Sequence, residues 1–306
     1  MEILERILGI ILPVFIIIAI GFAYARARGE TVHADMASVS RVSMSVLSPL
    51  LIFTALAGKD FDLAQNGILI LIGVVISLGS GLIAWPLARL LGYDVRTFVP
   101  PMMYNNCGNM GLPLSVLAFG ASSLGSAVAL FMACNLMYFS VGIKILESGR
   151  VGTDHPRKAH WQFLRNPMMI AMLLGIIFAA LKPGIPAPLF TAMQMLGSAC
   201  IPIMLFSLGV RMRDISFKSW PIGIVGACVC PLAGLIVAWL LDQSLDLTQA
   251  QRGQMYLFAA LPPAIFCFMM AERYKQEPDK VASIVLLGTL SALLFVPLGL
   301  WMGLPK

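Results

Sequence analysis

Three asparagines, Asn105, Asn106 and Asn109, fall in the stretch FVPPMMYNNCGNMGLPLSVLAFG (Phe98 to Gly120), with Gly108, Gly111 and Pro113 among them. An amide side chain offers N–H donors and a carbonyl acceptor without a fixed charge. That chemistry suits reversible recognition of an anion, since an anion held too tightly would not be released. Asn106 and Asn109 are three apart and share a helix face, where they can contact a ligand. Asn105 is directed elsewhere on the helix and is equally suited to satisfying backbone groups. Pro113 lacks an N–H and its ring clashes with the carbonyl of Asn109, so the helix is expected to break there. Open backbone groups cost several kcal/mol in hydrocarbon, so such a break survives only inside protein or along a watery cavity. The stretch therefore reads as a discontinuous membrane helix at a substrate site, with Gly111 and Pro113 part of it. The half-helix beginning near Pro113 would aim free N–H groups and a positive dipole end at a carboxylate.

A second break is expected at Pro262 and Pro263, which should free the carbonyls of Phe258 and Ala259 as acceptors for a proton donor, a substrate N–H, a cation or water. Asn135, Thr54 and Ser207 can complete the pocket or simply join helices through hydrogen bonds. No Asp, Glu, Lys, Arg or His lies between Thr97 and Ile143 or between Gly253 and Ala271. An intramembrane enzyme would need an acid–base pair, a Ser–His or Ser–Lys pair or metal ligands at depth, and these spans hold none. The missing ionisable relay also weakens proton symport. His33, His155 and His160 fall in polar loops, and the six cysteines fall in apolar segments without a metal-like pair, as buried free thiols. No metal and no cofactor is expected.

The elements that must hold these residues are membrane spans. Of 306 residues 59% are hydrophobic and 12% charged, with mean hydropathy +0.87, which excludes an ordinary soluble domain. The net charge of +6 lies in short loops between apolar runs, which fits membrane orientation and not nucleic-acid binding. Ten segments qualify as spans, near 6–25, 39–57, 66–89, 97–118, 122–146, 166–182, 188–210, 219–241, 252–271 and 281–303. The first is longer than a signal-peptide core and leads directly into another span, so it is kept as a mature helix. One side of the membrane carries 16 Lys and Arg, the side shared by both termini 5, so both termini are expected outside the cytoplasm.

The chain also repeats itself. Pro13 recurs as Pro167, Pro49 as Pro202, Trp85 as Trp239 and Pro113 as Pro263, at offsets of 154, 153, 154 and 150 residues. Because five is odd, two five-helix halves enter the membrane with opposite polarity, the inverted-repeat plan of secondary transporters. The expected fold is thus all-α and polytopic, with broken helices four and nine at corresponding positions.

Two motifs carry a resemblance. Met110-Gly111-Leu112-Pro113-Leu114 ends the Asn-rich break, and Ala260-Leu261-Pro262-Pro263 is followed by Ala271-Glu272-Arg273-Tyr274 and Pro278-Asp279. Over nearly the whole chain the sequence resembles the auxin efflux carrier family, which includes plant PIN carriers and bacterial permeases for small carboxylates. The resemblance implies crossed helices four and nine in a transport domain (66–147 and 216–306), moving against a scaffold (1–65 and 166–215) that often dimerises. Residues 148–165 form the cytoplasmic loop between them. It implies an elevator-like exchange of the site between faces, and it points to Asn106, Pro113 and Pro263 as site residues. Plant members follow the second proline with a glutamine, where this chain has Ala264, and they carry a longer central loop. A bacterial-type permease of the inner membrane is the closer expectation.

The function expected is transport of a small organic anion, auxin-like or a mono- or dicarboxylate. A monoanion leaving a negative-inside cell gains about 2.3 kcal/mol per 100 mV, so export needs no coupling ion. The alternative is a sodium- or proton-coupled organic anion symporter.

Overall fold

The computed structural model describes residues 2–59, 61–148, 167–213 and 219–305. Most of the expected central loop, with His155 and His160, lies outside the described residues. The helices are α1 (Glu2–Arg28), α2 (Met36–Ala57), α3 (Leu63–Leu90), α4 (Val95–Met103), α5 (Cys107–Phe119) and α6 (Ala121–Glu147). They continue with α7 (Pro167–Leu181), α8 (Ala187–Met212), α9 (Trp220–Ser244), α10 (Gln249–Ala259), α11 (Ile265–Tyr274) and α12 (Pro278–Gly303). Seven of these (α1, α2, α3, α6, α8, α9 and α12) are long and apolar enough to cross a membrane, and α5 and α7 are shorter apolar helices. The chain is an all-helical polytopic membrane protein.

Helix starts follow local chemistry. The Asp62 carboxylate accepts from the N–H groups of Ala64 and Gln65 to open α3, and Asp94 accepts from Arg96 to open α4. At α10, Thr248 and Gln251 cap each other's backbone reciprocally. The Arg96 guanidinium beside Asp94 holds its carboxyl below the ordinary carboxylate value.

The densest packing falls into two sets. In one, α1 lies on α8 and α7 on α2, with α8 also against α2; in the other, α3 packs on α4, α6 and α9, and α12 packs on α9, α10 and α11. Lipid removes the hydrophobic drive between helices, so close packing through small residues must hold them. A Cβ on Gly209 would sit 1.9 Å from the Ile18 carbonyl oxygen, and one on Gly21 2.2 Å from that of Phe206. Only glycine lets α1 and α8 approach so closely. Outward-facing Leu8, Leu12, Ile16 and Ile20 of α1 repeat every four residues, the lipid-facing stripe such a helix needs.

Candidate functional site

The chain is interrupted twice, and the two interruptions bind each other. Tyr104, Asn105 and Asn106 are non-helical between α4 and α5, as are Leu261 to Ala264 between α10 and α11. Asn105 and Pro263 pair in an antiparallel bridge. The Asn106 N–H donates to the Pro262 carbonyl at 2.7 Å, and the Ala264 N–H donates to the Tyr104 carbonyl at 2.9 Å. Backbone groups released by each break are thus satisfied by the other, as a non-aqueous interior demands. Glycines on the flanking helices make room for the crossing. A Cβ at Gly234 of α9 would meet the Ala259 oxygen at 2.3 Å, and one at Gly288 of α12 would meet Pro263 Cδ at 2.7 Å.

Three expectations need correction. The first break lies at Tyr104–Asn106 and not at Pro113, which sits in the helical stretch of α5. A π-helical turn over Cys107–Gly111, closed by Leu112 N–H to Cys107 O, widens the helix just ahead of the proline and accommodates its missing donor. The Phe258 carbonyl is not an open acceptor, because Asn105 Nδ2 donates to it at 2.7 Å. Cys228, expected to be buried with the other thiols, is half-buried.

Beside the crossing is a cavity of about 200 Å³. Asn105, Asn106, Gly108 and Asn109 line it from the first break and α5, and Ala264, Ile265, Phe266 and Met269 line it from the second break and α11. Both half-helices begin at this cavity. Helix geometry leaves the first N–H groups of each without an intrahelical acceptor, so two positive dipole ends converge on one space. Opposite them stand Ser40, Ser43 and Met44 of α2, Met168, Met169 and Met172 of α7, and Ile203, Met204, Ser207 and Arg211 of α8. Arg211 alone among the lining residues carries a charge.

The predicted residues separate on this geometry. Asn106 is 2% exposed, lines the cavity, and its Nδ2 has no hydrogen-bond partner. Asn109, half-buried, and Ser207 line the same space. Asn105 lines it too, but its amide N–H is spent on Phe258. Asn135 accepts from Tyr104 Oη at 2.8 Å and donates to the Phe131 carbonyl at 2.7 Å, so it braces the wall. Thr54 is bonded to the Leu50 carbonyl of its own helix and lies off the cavity. Pro262 and Pro263 form the crossing behind the cavity, Pro113 is buried within α5, and Gly111 faces Leu261, where a Cβ would sit 2.8 Å from its Cδ1.

Ser43, Tyr104 and Arg211 were not foreseen. Ser43 is 7% exposed and its Oγ has no partner. It opens a second π turn, Ser43–Leu47, closed by Ser48 N–H to Ser43 O ahead of Pro49. A third, Tyr138–Gly142, carries Phe139 into the lining. All three π turns thus border one cavity, and such turns gather at functional sites. The signal for Ser43 was a serine one turn and a half ahead of a proline in a membrane helix; Arg211 looked like an orientation charge. Phe266 stacks with Tyr104 and Tyr138 at centroid distances of 5.7 and 5.8 Å, forming an aromatic wall.

None of the cavity's lining residues comes from α10 or from α5 beyond Asn109. Toward Phe119 and Gln249, Gln254 Nε2 donates to Ser115 Oγ at 2.7 Å, and Arg252 pairs with Asp242 at 2.6 Å. Toward the opposite ends, Ser40, Met168 and Arg211 form its rim next to the Lys- and Arg-rich segments. Among the described residues no group of three or more His, Cys, Asp or Glu side chains is arranged to hold a metal ion.

Membrane-length helices around a largely apolar cavity that carries a few amide and hydroxyl groups at a pair of helix breaks fit a membrane transport protein. The chain belongs to such a family: residues 6–300 match the family described as membrane transport protein, the auxin efflux carrier family. An uncharacterized transporter of Methanothermobacter thermautotrophicus (strain Delta H) is 27% identical over 301 residues, covering 94% of this chain and 95% of the relative. A Rhizobium meliloti (strain 1021) protein named "Putative malonate transporter" is 23% identical over 303 residues, covering 94% and 92%. An uncharacterized transporter of Methanocaldococcus jannaschii is 22% identical over 312 residues, covering 96% and 98%.

Proposed function

We propose that the chain is a secondary transporter of small organic carboxylate anions, with its site at the crossing of two interrupted spans. The observation that carries this is the Asn106 amide, buried without a partner in a cavity where two half-helix N-termini meet. An unmade buried hydrogen bond costs about 1–3 kcal/mol. A carboxylate accepting from the amide and from first-turn N–H groups would recover that cost without a fixed positive charge at depth. The reciprocal packing of α1 on α8 and α7 on α2 supports two inverted five-helix repeats. The two packing sets support an elevator-type exchange, in which the crossing moves against α1, α2, α7 and α8. The Lys- and Arg-rich face is the cytoplasmic one, so the conformation described opens inward in the inner membrane. The Phe258, Pro262 and Tyr104 carbonyls at the crossing each already accept a hydrogen bond, which leaves fewer acceptors for a coupling cation and supports electrogenic, uncoupled transport.

The test is flux of labelled carboxylates in proteoliposomes under an imposed potential. Anion movement that follows the potential, without a sodium or pH gradient, is expected. Currents that appear only with a pH gradient, or only with sodium, would overturn the uncoupled mechanism.

A further inference from the structure

Two prolines leave unclaimed acceptors at the cavity. In α2 the π turn Ser43–Leu47 closes with the Ser48 N–H on the Ser43 carbonyl, and the next residue is Pro49, which has no N–H. The Met44 carbonyl therefore finds no donor within its own helix. In α5 the same register recurs: the turn Cys107–Gly111 closes with the Leu112 N–H on the Cys107 carbonyl, Pro113 follows, and the Gly108 carbonyl is left over. Among the described residues no backbone N–H from elsewhere in the chain reaches either oxygen. Met44 and Gly108 both line the cavity, one on α2 and one on α5. Ser43 lines it too, 7% exposed, with its Oγ lacking a partner.

A carboxylate can only accept hydrogen bonds. It can answer the Asn106 amide and the half-helix starts, but it offers nothing to a carbonyl. The groups left over, one hydroxyl and two carbonyls, call for a partner that accepts and donates at once. A hydroxyl does both through one oxygen. An ammonium could also donate to the carbonyls, but it would bring a positive charge beside two positive dipole ends.

We propose that the Ser43 turn reads a hydroxyl on the substrate: the substrate is a hydroxycarboxylate whose carboxylate sits at Asn106 and whose hydroxyl accepts from Ser43 Oγ and donates to the Met44 carbonyl. This rests on the carboxylate reading above and makes it narrower. Ser43 and Met44 belong to α2, which packs on α7 and α8, whereas Asn106 belongs to the crossing. The bound molecule thus joins the two sides of the cavity through two different groups, and an acid without the hydroxyl makes only one of the attachments. Such an acid leaves buried polar groups unpaired, which is how a site built for a hydroxyl rejects the analogue that lacks it.

The experiment is equilibrium binding to the purified full-length protein, with lactate compared with propionate and hydroxymalonate with malonate, pairs that differ by one hydroxyl. In the wild type the hydroxy member of each pair should bind on the order of 10-fold more tightly. Ser43→Ala should weaken the hydroxy acids several-fold more than their partners and bring the ratio to within about twofold. Ser43→Cys, a weaker donor of similar shape, should fall between. Melting temperatures of the free variants at or above the wild-type value separate recognition from folding. Equal affinities within each wild-type pair would overturn the proposal, and so would a ratio that Ser43→Ala leaves unchanged. A wild-type protein that binds none of the four acids overturns the carboxylate reading itself. The Asn106→Ala variant keeps the two failures apart, since it should weaken both members of each pair alike and preserve the ratio.

Discussion

Asn105 and Asn106 are neighbours with different tasks, and the difference lies in what their amides find. Asn105 Nδ2 binds the Phe258 carbonyl and ties the first break to the second, whereas Asn106 Nδ2 has no partner. Removing the Asn105 amide takes the shorter of two hydrogen bonds from the Phe258 carbonyl and leaves it the Leu261 N–H at 3.3 Å. Asn105→Ala is therefore expected to cost about 0.5–1.5 kcal/mol of stability, read as a lower melting temperature in detergent. Ser43 should show the opposite balance. Its hydroxyl is buried without a partner, so Ser43→Ala is expected to raise the melting temperature slightly while weakening carboxylate binding several-fold. A purely structural serine would not move the two readouts in opposite directions. Sequence alone could nominate the asparagines, because amides at depth in an apolar span are costly and demand a use. It could not divide them between structure and ligand, since the Phe258 carbonyl that claims Asn105 lies 153 residues away.

The interrupted helices owe their form to each other. Proline pairs were the visible sign, and the second break does fall at Pro262 and Pro263. The first falls ahead of Pro113, because a π turn absorbs that proline and the strand-like pairing with Leu261–Ala264 sets where the helix stops. Propensity along the chain gives no access to that competition. Close helix contact was also hidden, since a glycine in a membrane helix signals small size without naming its neighbour. Gly209 and Gly9 make the contrast: a Cβ on Gly209 would collide with the Ile18 carbonyl, and one on Gly9 meets nothing within 4 Å. Gly209→Val is expected to force α8 from α1 and cost about 1–3 kcal/mol or more, measured as lost thermal stability. Gly9→Val should be nearly neutral in the same assay.

Across the whole molecule, the composition, the all-helical character and the seven long apolar helices were legible in the sequence, because each is a bulk property of the chain against lipid. The cavity was not, since it gathers residues from six helices and both breaks. Its rim stands beside the basic segments, which ties the conformation to an orientation. A Ser40→Cys variant, in a Cys228→Ser background, is expected to react with a membrane-impermeant maleimide in inside-out vesicles and not in right-side-out ones. The reverse pattern would invert the assigned topology. The central claim is that an anion binds at the crossing through Asn106, and titration of the purified wild type and Asn106→Ala with a panel of mono- and dicarboxylates tests it most directly. Saturable binding in the wild type, weakened on the order of 10-fold or more by Asn106→Ala at unchanged melting temperature, is the predicted result. Equal affinity in the two proteins would contradict it.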